Sequence, residues 1–116
     1  MNDTSFKNMV STVEENLPAI QEVLNTYQQE NFPKRTPEFF CLELCGEAGE
    51  LANLEKKLWK GKDIPRERVE DETADVFIAI LNYADARGID LAKVVAEKLR
   101  TIEARRLERA AKGEVY

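Results

Sequence analysis

The residues best placed to do chemistry are carboxylates. Glu47 and Glu50 stand in the run GEAGEL, and Glu72 and Asp75 in the run EDETAD. Each pair is spaced i, i+3, which puts its members on one face of a helix. Histidine is absent, and Cys41 and Cys45 are the two cysteines. Ser-His-Asp and Cys-His catalysis, His-ligated metals and a four-cysteine zinc site within one chain are therefore excluded. A carboxylate-bridged di-iron bundle is disfavoured too, because its Glu-x-x-His repeats need histidine. Carboxylates clustered beside a core repel each other and lose hydration. Lys, Arg or a divalent cation must offset that. Mg²⁺ is the natural oxygen-seeking ion, with Mn²⁺ as an alternative. Carboxylate-held Mg²⁺ usually keeps waters and takes further ligands from phosphates, which points to phosphate-ester or phosphoanhydride chemistry.

Helices must position these groups, since strand signals are weak. Apolar residues Leu17, Ile20, Val23, Leu24 and Tyr27 recur at helical spacing and predict a first helix over Leu17–Glu30. Pro18 suits its first turn, and residues 4–16 add a turn or two or form an arm. Thr36-Pro37 reads as a cap and first-turn proline, opening a second helix that runs to about Lys60 and stops at Gly61. A third begins near Pro65 and ends at Gly88. A fourth starts from Asp90 and reaches about Ala111, with cations in its last turns. Connections are short, so neighbouring helices are expected to pack antiparallel in an all-α bundle of about four helices.

Wound at about 100° per residue, the second helix carries Glu43, Glu47 and Glu50 within a stripe of about 60°. That stripe borders the apolar arc of Phe40, Leu44, Leu51, Leu54 and Leu58, whereas Lys56, Lys57 and Lys60 occupy the opposite side. On the third helix Glu72 and Asp75 border Val69, Val76, Ile80 and Tyr83. Asn82 follows Asp75 by two turns along the same edge and offers an uncharged donor and acceptor. On the fourth, Lys98 and Arg105 share the stripe of Leu91, Val94, Val95 and Ile102. Inward cations beside inward carboxylates suggest a polar pocket that could balance phosphate charge.

The chain has 116 residues, 43% hydrophobic and 34% charged, with net charge −5. This fits one soluble domain over residues 1–116. An acidic chain is a poor general binder of nucleic-acid polymers. No apolar run approaches the roughly 20 residues of a membrane span, and the start MNDTSFKNMV lacks signal-peptide character. Two cysteines make no disulfide framework, so a cytoplasmic location without membrane attachment is expected.

The ordered set GEAGEL and EDETADVFIAILNYADARGIDL resembles the MazG-like nucleotide pyrophosphohydrolases, the all-α NTP pyrophosphatases. The match is to an ExxE…ExxD pattern, here Glu47, Glu50, Glu72 and Asp75, with the RGIDL turn and the EKL…ARR helix in position. It covers roughly residues 36–106. The resemblance implies hydrolysis of (deoxy)nucleoside triphosphates between the α and β phosphates, giving a monophosphate and pyrophosphate. It also implies Mg²⁺ on the four carboxylates, homodimers or tetramers, a pocket between protomers, and clearance of unwanted nucleotides. Members often carry an Asn between the Lys and Arg of the last helix, where this chain has Thr101 and Ile102.

Glu47 or Glu50 would act as general base, and Lys98 or Arg105 would steady phosphate charge. Asn82 would contact substrate or satisfy a buried hydrogen bond. Trp59 is the best of the aromatic residues for stacking on a base, while Phe39, Phe40 and Tyr83 fit core or interface better. Cys41 and Cys45 read as small core residues. Narrower enzymes, preferring dUTP, dCTP or phosphoribosyl-ATP, are alternatives. A non-catalytic helical interaction module is an alternative of another class, but it has no need of inward carboxylates.

Overall fold

The structure is a computed structural model that describes residues 3–115. Within them the regular structure is four α-helices and no strand: α1 (Asp3–Asn31), α2 (Pro37–Trp59), α3 (Arg66–Arg87) and α4 (Leu91–Ala111). None of these helices is long and apolar enough to cross a membrane. Contacts divide the chain into two compact units, and the boundary falls inside α1. One unit comprises residues up to Val23 together with those from Ile89; the other is Leu24–Gly88.

The Leu24–Gly88 unit is built on the α2–α3 hairpin. Thr36 caps α2 as expected: its Oγ1 accepts from the Phe39 amide at 3.3 Å, and Pro37 follows in the first turn. The helix ends at Lys60 and Gly61, whose φ of 82° needs no Cβ. Glu38 near the start of α2 pairs with Arg87 at the end of α3, at 3.6 Å. Leu58 at the end of α2 shares a groove with Val69 near the start of α3. The two helices therefore run antiparallel. Phe40 and Leu54 from α2 and Ala79, Leu81 and Ala84 from α3 are the buried apolar residues of this unit. Leu81 is 2% exposed, so Leu81→Ala is expected to cost about 2–5 kcal/mol in denaturant unfolding.

In the other unit, α1 is tied to α4 and to the residues just before it. The Gln21 amide donates to Ile89 O at 2.7 Å and its carbonyl accepts from the Leu91 amide at 3.0 Å. Arg100 pairs with Glu14 at 3.2 Å. Asp90 caps α4 by accepting from the Lys93 amide at 3.2 Å.

Two expectations are corrected here. The first helix begins at Asp3 rather than Leu17, so Pro18 lies in its interior. An interior proline removes one backbone hydrogen bond and costs about 3 kcal/mol. Tertiary anchors on both sides hold the helix through it: Val10 is buried before Pro18, and Glu14 and Gln21 bind α4 residues around it. Cys41 and Cys45 are exposed rather than buried, because they lie roughly 100° or more around α2 from the Phe40–Leu54 stripe.

Candidate metal centre

Phe40, Glu47 and Leu54 are spaced by seven residues, two turns of helix, and so form one stripe of α2. Phe40 and Leu54 are buried. Glu47 stands between them and is half-buried because its stripe is the packed one. On α3, Glu72 precedes the buried Ala79 by the same interval, and Asp75 precedes the buried Asn82. Both are half-buried. Antiparallel packing then brings the two stripes together. Carboxylate oxygens of Glu47, Glu50 and Glu72 lie within 4.8 Å of one another, and so do those of Asp71, Glu72 and Asp75. The four carboxylates read from the sequence thus occupy one cluster, with Glu72 common to both triads.

Asp71 joins that cluster although the ExxE…ExxD spacing passes over it. The signal was present: Asp71 and Asp75 are i, i+4 neighbours and share a face of α3. Glu43 is exposed further along α2.

The cluster has no cationic partner among the described residues. The ion pairs seen among the described residues involve other carboxylates. Glu72 Oε2 is buried and meets no donor, since its neighbours Glu47 and Glu50 are themselves acceptors. A proton on Glu72 converts that clash into a hydrogen bond to Glu47. This interaction, with desolvation and the charge of Glu50, pushes the Glu72 carboxyl up to about 7. Asp75 is also raised, chiefly by desolvation, then by the charges of Glu47 and Asp71. Lost hydration and like-charge repulsion both favour the neutral acid. A divalent cation would relieve the same strain without a proton. An oxygen-only donor set of this kind fits Mg²⁺ or Mn²⁺.

The remaining site residues are placed differently. Asn82 is buried on α3, two turns beyond Asp75. Trp59 is 90% exposed at the end of α2. Lys98 and Arg105 are exposed on α4, which corrects their expected inward position. The buried face of α4 is instead centred on Ala92 and Ala96, with Val95, Leu99, Ile102, Glu103 and Arg106 half-buried. Small alanines, which a stripe of large apolar residues overlooks, set that face and turn Lys98 and Arg105 away by about 100°. The inward charges of α4 are Glu103 and Arg106, paired at 2.6 Å. Arg106 holds the Glu103 carboxyl below its usual range.

No family model, curated protein or solved structure matches the chain.

Proposed function

We propose that the chain is a Mg²⁺-dependent (deoxy)nucleoside triphosphate pyrophosphohydrolase that cleaves between the α and β phosphates. The observation that carries this reading is the convergence of Glu47, Glu50, Glu72 and Asp75 on one packed hairpin, without a cationic partner among the described residues. The resemblance of GEAGEL and EDETAD to the MazG-like pyrophosphohydrolases supports it. A solvated acidic face would give neither the buried Oε2 of Glu72 nor its raised pKa.

The four carboxylates would hold the metal, with Glu72 shared by both triads and Asp71 beside the second. Bound Mg²⁺ supplies Lewis-acid polarisation of phosphate oxygens and acidifies a water. Glu50 is the exposed member of its triad and can reach a water, which suits it to receive the proton. Half-buried Glu47 suits the metal better. Lys98 and Arg105 remain free to meet phosphate or to serve α4 as surface cations.

Large apolar residues on this hairpin face solvent, among them Leu42 at 73% exposed and Phe77 at 53%. Burying them against a second copy would remove apolar area from water, which fits self-association as a homodimer or tetramer.

Pyrophosphate release from a panel of (d)NTPs with and without Mg²⁺ tests the proposal. Mg²⁺-dependent release with matching (d)NMP is expected. No release from any nucleotide by the folded protein would reject the general reading and leave phosphoribosyl-ATP and the interaction module to be tested in turn.

A further inference from the structure

The turn between α2 and α3 concentrates positive charge that the whole-chain balance hides. Residues 56–68 hold six cations against two acids, Asp63 and Glu67, a net charge of +4 in a chain of −5. Lys56, Lys60 and Lys62 are exposed and Lys57 is half-buried. These four lysines take no part in the ion pairs seen among the described residues. The whole turn belongs to the Leu24–Gly88 unit.

Trp59 stands in the middle of this charge and is 90% exposed. The turn around it is folded: the Gly61 amide donates to Leu58 O at 2.9 Å and the Lys62 amide to Lys57 O at 3.0 Å. Trp59, Lys60 and Lys62 are thereby held together at one end of the hairpin. Leu58, next to Trp59, lines an apolar groove with Ile64 and Phe77. A tryptophan joins an apolar ring to a polar N–H, and a lysine joins an apolar stem to a charged head. Both residue types suit the boundary between hydrocarbon and water.

We propose that this tip binds the surface of an anionic phospholipid bilayer. Trp59 enters the headgroup layer, and the lysines meet lipid phosphates. The contact is peripheral and needs no spanning helix. It goes against the expectation of no membrane attachment, which averages charge over the whole chain. The carboxylate centre does not cancel the attraction. Its nearest member along α2, Glu50, precedes Trp59 by nine residues, about 13 Å of helix. That exceeds the screening length of about 8 Å at physiological salt.

Single-stranded nucleic acid offers the same negative charge. Proteins that hold it stack successive bases on several aromatic side chains, and Trp59 is the sole aromatic residue within 56–68. Base stacking also leaves the apolar groove without a role, whereas a lipid surface takes up apolar side chains beside the ring.

Trp59 is the only tryptophan of the chain, so tryptophan fluorescence reports on this tip alone. The probe is vesicles of phosphatidylcholine with about one-third phosphatidylglycerol, compared with pure phosphatidylcholine. With the anionic vesicles the emission of the natural chain is expected to shift to the blue and the protein to sediment with the lipid. Raising salt from about 0.1 M to about 1 M is expected to weaken both. Lys60→Gln with Lys62→Gln is expected to lower vesicle affinity about 10–30-fold. Unshifted emission, an equal shift with pure phosphatidylcholine, or undiminished affinity of the double variant would overturn the proposal. Quenching by oligo(dT) without a response to vesicles would assign the tip to nucleic acid and overturn it as well.

Discussion

Glu72→Gln is expected to raise the melting temperature of the metal-free protein at about pH 8 while abolishing Mg²⁺-dependent hydrolysis. Above its pKa of about 7 the Glu72 carboxylate is charged, half-buried and beside Glu47 and Glu50. Glutamine removes that charge, and its amide can donate to Glu47, so the repulsion becomes a hydrogen bond. The same change turns the carboxylate common to both triads into a neutral amide, a far weaker ligand for a hard divalent cation. Loss of at least about 10²-fold in kcat/KM is expected, the scale of losing a catalytic metal or base. Glu50→Gln is expected to lose activity similarly, but with less effect on stability because Glu50 is exposed. Thermal melts without metal and steady-state kinetics with Mg²⁺ check both halves. An ordinary surface glutamate would leave melting temperature and turnover nearly unchanged.

The second large effect is on pH dependence. The Glu72 carboxyl is pushed up to about 7 in the folded chain, against the 4.5 of an ordinary glutamate, which the unfolded chain restores. Between those values the native state holds a proton that the unfolded state has released. Stability therefore falls as pH rises through this window; the contribution is fully present below about pH 4.5 and lost above about pH 7. Asp75, raised as well, acts in the same direction. Mg²⁺ competes with the Glu72 proton, so its apparent affinity is expected to rise with pH through about 7, with proton release on binding. At 100 times its Kd the ion would stabilise the fold by about 2.7 kcal/mol. Melting temperatures from about pH 5 to 8, with and without Mg²⁺, are expected to diverge as pH rises. A metal-free melting temperature that climbs through that range, or Mg²⁺ stabilisation that is the same at both ends, would contradict the electrostatic account.

The helix ends were legible in the sequence wherever local chemistry decides them. Thr36-Pro37, Gly61, Gly88 and Asp90 each mark a boundary through backbone geometry or a cap, and α2, α3 and α4 start and stop there within about two residues. Tertiary contacts decided the rest. Pro18 looked like a beginning because nothing local shows that Val10 is buried or that Glu14 and Gln21 engage α4. The carboxylate cluster was legible because helical spacing placed Glu47, Glu50, Glu72 and Asp75 beside apolar stripes that had to pack. Asp71 was passed over by a three-residue spacing although it satisfies the four-residue one. The inward side of α4 was misread because Ala92 and Ala96 carry little hydrophobic signal but allow the closest packing.

The most direct test of the carboxylate centre is Mn²⁺ titration of the metal-free protein, followed by the EPR signal of the free ion. The natural chain is expected to deplete that signal saturably, more strongly at about pH 8 than at about pH 6. Glu72→Gln is expected to leave most of the ion free. Absence of binding to the natural chain, or equal binding by both proteins, would contradict a metal centre on Glu47, Glu50, Glu72 and Asp75.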